Sequence, residues 1–210
     1  MQVVVPFSVT DPKTRLADTL GPDERRKFSM AMLEDVLSSI RATGYEPKVL
    51  TTSRIDVDAP LMVDSRPLTP AVNDVLAADE ATAIVMADLA LATPGVLERL
   101  FSTAGDVVLA PGRGGGTNAL VSRHSEFRVD YHGTSYLDHR RNAQDVGAST
   151  AEMDSHRLAT DVDESSDLAE VLIHCDGSAS DWLREAGFSL SVTDGRVEAN
   201  RERRIEGQER

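Results

Sequence analysis

The sequence has one cysteine, three lysines and few aromatic residues (4%). With Cys175 alone, no disulfide can close within the chain and a cysteine-based zinc centre is excluded. No apolar run approaches the roughly eighteen residues that a membrane span requires. The opening Met1-Gln2-Val3-Val4-Val5-Pro6 lacks the basic and long apolar regions of a secretory signal. These absences give the chain a cytoplasmic reading.

The lysine deficit is part of a larger imbalance. Asp plus Glu number 35 against 22 for Lys plus Arg, a net charge of −13, and the lysines are only Lys13, Lys27 and Lys48. Such a surface repels phosphate backbones and anionic lipid, so a nucleic-acid or membrane partner is not expected. It suits a chain kept soluble in strong salt, where like charges are screened and carboxylates hold water. The expected setting is the cytoplasm of a salt-loving organism.

What remains is ordinary for a folded chain: 210 residues, 40% hydrophobic and 27% charged. There is no internal repeat and no long linker, so one domain is expected over 1–199, with a charged, disordered tail over 200–210. Val3 to Phe7 reads as a strand buried on both faces. Phe28, Met32, Leu33, Val36, Leu37 and Ile40 make one apolar helical stripe that begins at Pro22 and stops before Gly44.

Further strands are expected at 48–51, 60–63, 82–87 and 106–111, with helices at 69–79, from Pro94, at 135–146 and at 165–174. An alternating strand is expected at 127–131 and a hairpin at 188–198. This alternation predicts an α/β three-layer sandwich around a mostly parallel sheet, with ligands at the carboxyl ends of its strands.

Four segments carry candidate chemistry. Asp11-Pro12-Lys13-Thr14-Arg15 follows the first strand, and its two cations suit a triphosphate, although a solvated loop reads the same way. Asp88 closes the 82–87 strand, where a carboxylate either meets magnesium and a nucleotide phosphate or caps a turn. Four glycines among residues 112–116, with Arg113, expose backbone amides to a phosphate or form a plain turn. Asp161 and Asp163, two apart on an extended segment, face one side and suit a second metal contact, although aspartate pairs are common in so acidic a chain. The five histidines read as scattered, without metal-ligand spacing. Cys175 reads as inert packing and Trp182 as a core or docking residue.

In order along the chain, Lys13-Thr14-Arg15-Leu16, Glu24-Arg25, Ala87-Asp88-Leu89, the glycine run to Thr117-Asn118-Ala119-Leu120, Ser135 to His139 and Leu158 to Leu168 resemble the CofC family. That family comprises 2-phospholactate guanylyltransferases of coenzyme F-420 synthesis. The resemblance spans Met1 to about Gly187.

It implies a Rossmann-like fold similar to nucleotide-diphospho-sugar transferases, and transfer of GMP from GTP to (2S)-2-phospholactate with release of pyrophosphate. Phosphoenolpyruvate or 3-phosphoglycerate as acceptor, and a silent nucleotide-binding module, are the alternatives. By resemblance, Asp88 holds Mg2+ with Asp161 or Asp163 in support, while Lys13 and Arg15 neutralise the triphosphate. Arg113, Gly115, Gly116, Thr117, Asn118, Gly133 and Ser135 bind substrate, with Thr117 and Ser135 on the acceptor phosphate. A haloarchaeal source and a homodimer fit the same reading. The chain departs from the family pattern at Pro6-Phe7-Ser8, at Ala90 and at Tyr131-His132-Gly133-Thr134.

Overall fold

The computed structural model describes residues 1–10, 12–193 and 195–201. Its centre is a seven-stranded sheet: β1 (Gln2–Phe7), β2 (Pro47–Thr51), β3 (Leu61–Val63), β4 (Thr82–Val85), β5 (Val107–Pro111), β6 (Thr117–Ser122) and β7 (Thr150–Glu152). The order is β3-β2-β1-β4-β6-β5-β7, and every strand but β6 runs the same way. The expected α/β sandwich is what forms. β1 and β4 are buried along almost their whole length, as continuous apolar runs require when helices cover both faces.

Helix α1 (Pro22–Arg41) lies on one face with α3 (Pro94–Ser102) and the short α5 (His156–Ala159); α2 (Leu68–Ala78) and α4 (Ser135–Asp145) cover the other. Alternate residues of one strand feed the two cores: Val3 and Val5 point to the α1 side, Val4 to the α2 side. A third apolar cluster joins Leu16, Leu20, Phe28 and Met32 to α6 (Asp167–His174) and α7 (Ser178–Glu185). Outside the sheet, β8 (Phe188–Thr193) pairs antiparallel with β9 (Arg196–Arg201).

Several elements differ from the sequence expectation. The segment 127–131 is not a strand. Phe127 and Val129 are buried as the alternation requires, but the backbone is paired to side chains instead of a ladder. Val129 N–H donates to Asn73 Oδ1, Asp130 N–H to His139 Nε2 and Tyr131 N–H to Thr69 Oγ1.

Helix α7 went unpredicted because its sequence is polar. Its N-terminal amides, Ser178 and Ala179, are capped by Asp35 of α1 across 143 and 144 residues. Trp182 then stacks tilted on Phe28, at 5.3 Å between ring centroids. Asn200 and Arg201, assigned to a tail by composition, end β9. Arg201 forks onto the Glu24 carboxylate at 2.6 and 3.2 Å and so ties the hairpin to the start of α1. Residues 202–210, Asp11 and the turn residue Asp194 lie outside the described residues.

Candidate functional site

The loop after β1 is tied down from α1. Arg25 is buried, and its guanidinium donates to the carbonyls of Pro12 and Leu20 at 3.1 and 3.2 Å. This holds the chain where Lys13 takes φ 57°, ψ 45°, the left-handed region that costs a non-glycine residue roughly 1 kcal/mol or more. The following 3-10 turn, Thr14–Leu16, buries Leu16 and leaves Arg15 exposed.

From that position the Lys13 ammonium reaches between two carboxylates. Its Nζ is 2.6 Å from Asp88 Oδ2 and 2.6 Å from Asp163 Oδ1, while Arg15 Nη1 lies 3.2 Å from Asp163 Oδ2. The lysine side chain is only 10% exposed. Burial alone pushes the ammonium's pKa down, but the two carboxylates outweigh it and hold it above the usual lysine range.

Asp88 follows β4 at the carboxyl edge of the sheet. Asp161 and Asp163 arrive on the segment after α5, with Val162 between them fully buried and its N–H donating to the Asp88 carbonyl at 3.2 Å.

The antiparallel strand β6 begins at this same edge and contributes Asn118. Its Nδ2 donates to Asp161 Oδ1 at 3.1 Å and to the Leu158 carbonyl at 3.0 Å. Burial raises the pKa of Asp161; the Asn118 hydrogen bond opposes that shift, and nearby Asp88 and Asp163 add to it. Gly112 lies directly under the Asn118 amide, since a Cβ there would fall 2.5 Å from Asn118 Oδ1.

The glycine run is the β5–β6 turn. Gly112 N–H bonds the Gly116 carbonyl at 2.9 Å, and Gly115 sits at φ +83°, where a side chain is strained. Arg113, read from sequence as a phosphate cation, pairs with Asp167. That buried carboxylate also accepts the N–H groups of Asp163 and Glu164 at 3.0 and 2.8 Å.

Thr117 and Ser135 are both buried and bonded to each other, Thr117 N–H donating to Ser135 Oγ at 3.0 Å. Gly133 turns the chain just before α4. His132 is exposed, and its Nδ1 is hydrogen-bonded to the Asp130 carboxylate.

Behind Thr117, His139 is fully buried. Its Nε2 accepts the Asp130 N–H at 2.9 Å, so the neutral tautomer carries its proton on Nδ1 and donates to Thr117 Oγ1, also 2.9 Å away. Protonating Nε2 would set it against that N–H. Burial holds the pKa at about 4, down from 6.5.

A depressed pKa means that the stabilisation is complete above pH 6.5 and is lost as pH falls through 4, where the folded ring at last protonates. At about 1.4 kcal/mol per unit, acidification from pH 7 to 4.5 is expected to cost roughly 3 kcal/mol through this residue. Thermal melts of the parent and of His139→Gln across that range check it. The variant's pH slope is expected to be flatter, and equal slopes would remove His139 from the account.

A cavity of about 220 Å³ opens beside the carboxylates, lined by Pro6, Phe7, Pro12, Lys13, Asp88 and Asp163 among others. Two polar atoms at its wall, Asp88 Oδ1 and Ser29 Oγ, are buried with no hydrogen-bond partner among the described residues. Ser29 was missed from sequence, although a hydroxyl within the buried stripe of α1 was the available signal. An unpartnered carboxylate oxygen within an all-oxygen set of aspartates fits a hard divalent cation.

Cys175 is buried, with Sγ 3.2 Å from the Ala90 carbonyl and burial pushing its thiol up to about 12, which makes it inert. The reading of the histidines as scattered is corrected. His156 and His174 meet at Glu170, a contact hidden by the separation of the two histidines along the chain.

The comparisons bear on this geometry. The family described as guanylyl transferase CofC like matches residues 1–205. A 2-phospho-L-lactate guanylyltransferase of Halomicrobium mukohataei is 61% identical over 202 residues, covering 96% of this chain and 100% of the relative. One from Haloferax volcanii is 60% identical over 206 residues, covering 97% and 100%.

Among solved structures, a chain from Desulfovibrio desulfuricans G20 assigned to the nucleotide-diphospho-sugar transferases aligns with TM-score 0.72 at 12% identity, covering 88% of this chain and 95% of that one. A nucleotidyl transferase from Methanothermobacter gives 0.59 at 15%, covering 88% and 98%. These two show the fold alone. A whole-chain family match, and relatives identical at most positions along nearly their full length, place the chain in the CofC-like guanylyl transferase family.

Proposed function

We propose that the chain is a 2-phospholactate guanylyltransferase: it transfers GMP from GTP to (2S)-2-phospholactate and releases pyrophosphate. A phosphate oxygen of the acceptor bonds the α-phosphorus of GTP while the bond to the β-phosphate oxygen breaks. Both reactants are already ionised, so no general base is needed, and the protein's work is positioning and charge neutralisation.

One observation carries the reading: a buried, positively charged Lys13 held between Asp88 and Asp163 at the carboxyl edge of the sheet, beside an unpartnered Asp88 oxygen. Asp88 and Asp163 would hold Mg2+, with Asp161 kept in place behind them by Asn118. When bound, the ion supplies neutralisation of phosphate charge. Lys13 and Arg15 are the cations for the triphosphate and departing pyrophosphate. Arg113 acts more remotely, since its partner Asp167 caps the backbone of the segment that presents Asp163. Thr117, Ser135 and His139, hydrogen-bonded in series, are assigned to the acceptor side.

The whole-chain relatives favour GTP and 2-phospholactate over other pairs. No helix among the described residues is long and apolar enough to cross a membrane, in keeping with a soluble cytoplasmic enzyme. The test is pyrophosphate release with Mg2+ in strong potassium chloride, with GTP, ATP and CTP each offered 2-phospholactate, phosphoenolpyruvate and 3-phosphoglycerate. Release is expected to be fastest with GTP and 2-phospholactate. A different preferred pair would reassign the substrates, and no release with any pair would overturn the enzyme reading.

A further inference from the structure

A second group of ligating side chains stands apart from the aspartates. His156 opens α5, and Glu170 and His174 lie one turn apart on α6. Both imidazoles converge on a single oxygen: His156 Nε2 is 3.2 Å and His174 Nε2 3.4 Å from Glu170 Oε2. One ligand atom from each residue lies within 4.8 Å of the others, and the two rings meet nearly edge to face. The side chains are 55%, 30% and 37% exposed for His156, Glu170 and His174, so an ion reaches them without any opening of the fold.

These distances have a chemical meaning. Tetrahedral zinc with bonds of about 2.0–2.2 Å sets its donor atoms roughly 3.3–3.5 Å apart; the edges here are 3.4 Å, within that range, and 3.2 Å, just short of it. Two imidazoles and one carboxylate form a three-protein-ligand set that leaves a fourth position for water or chloride. Nitrogen donors select zinc, nickel or cobalt over magnesium, which takes all-oxygen sites such as the aspartate cluster.

Placement adds a consequence. Helices α5 and α6 bracket the segment 160–166, which carries Asp161 and Asp163. A ligand bridge between them closes that segment into a short loop and limits its fluctuation.

We propose that His156, Glu170 and His174 bind one zinc-class divalent ion, separately from the aspartate site, and that the ion fastens α5 to α6 across the segment bearing Asp161 and Asp163. The probe is Zn2+ titrated calorimetrically into the chelator-treated full chain, in strong potassium chloride with saturating Mg2+. One equivalent is expected to bind. The double variant H156Q/H174Q is expected to bind at least about 100-fold more weakly, with its fold checked by circular dichroism, whereas Asp88→Asn keeps the site.

Hydrogen exchange supplies the second readout. Zinc is expected to slow the amides of 160–166 in the parent and not in the double variant. Absence of binding over Mg2+, or equal binding by the double variant, would reduce the cluster to hydrogen bonds alone and overturn the proposal. Bound zinc with unchanged exchange at 160–166 would overturn the fastening. None of these outcomes depends on turnover.

Discussion

Asparagine in place of Asp88 is expected to lower pyrophosphate release from GTP and 2-phospholactate about 10³-fold. The substitution keeps the volume and one carbonyl oxygen, but it removes the charge that meets both the Lys13 ammonium and, in the proposed mechanism, the metal. Loss of a few kcal/mol of charge stabilisation at the reacting phosphates corresponds to two or three decades in rate. Lys13 keeps its 2.6 Å contact with Asp163 in the variant, so the fold is expected to survive. The check is kcat at saturating substrates over a Mg2+ titration, alongside a melting curve. Activity within tenfold of the parent would remove Asp88 from the chemistry.

Replacing Lys13 with methionine is expected to do two separable things. The apolar stem is retained, but Asp88 and Asp163 then face one another without their shared cation. Stripping one partner from a buried ion pair costs several kcal/mol. Here both carboxylates are about a third exposed, which lowers the figure to roughly 2 kcal/mol, or about 4–8 °C in Tm.

Millimolar Mg2+ is expected to restore that loss and to bind the variant more tightly than the parent, because the ion replaces the missing charge. Turnover is expected to fall about 10²-fold or more and not to recover with Mg2+, since in the proposed mechanism the triphosphate loses its cation. Differential scanning calorimetry with and without Mg2+, set beside the rate assay, separates the two effects. A variant as stable as the parent in chelator, or one rescued in rate by Mg2+, would contradict the assignment.

Lysine's raised pKa sets the sign of the pH effect. The stabilisation is complete below the ordinary value of 10.5 and is lost only as pH climbs through the higher folded value, so Lys13 is charged throughout the working range.

How much of this was legible beforehand depended on distance along the chain. The stripe of α1 and the apolar runs of β1 and β4 are local patterns, and each formed where its periodicity placed it. Lys13 and Asp88 stood out for local reasons too, one by the rarity of its residue type and the other by closing a strand. That Lys13 would stand between Asp88 and Asp163 was not legible, since those contacts span 75 and 150 residues.

The partner of Arg113 was hidden for a related reason. A cation beside glycines reads as a phosphate ligand, and its contact with Asp167, 54 residues away, is not legible locally. Strand β6 was hidden because it opens on polar Thr117 and Asn118, directly after the glycine turn. The segment 127–131 showed the right alternation, but its backbone partners were the side chains of Thr69, Asn73 and His139, which no periodicity encodes.

The reversed direction of β6 gives the centre of the sheet one local pairing and one long-range pairing. Strands β5 and β6 are joined by a tight turn and can pair early, as a hairpin of low sequence separation. Against β4 the same hairpin packs edge-on, and that pairing includes the Met86 N–H bond to the Asn118 carbonyl. The same event therefore zips the centre of the sheet and delivers Asn118, and through it Asp161, to Asp88. Regain of activity on refolding is therefore expected to follow the long-range β4–β6 pairing and not the local β5–β6 hairpin.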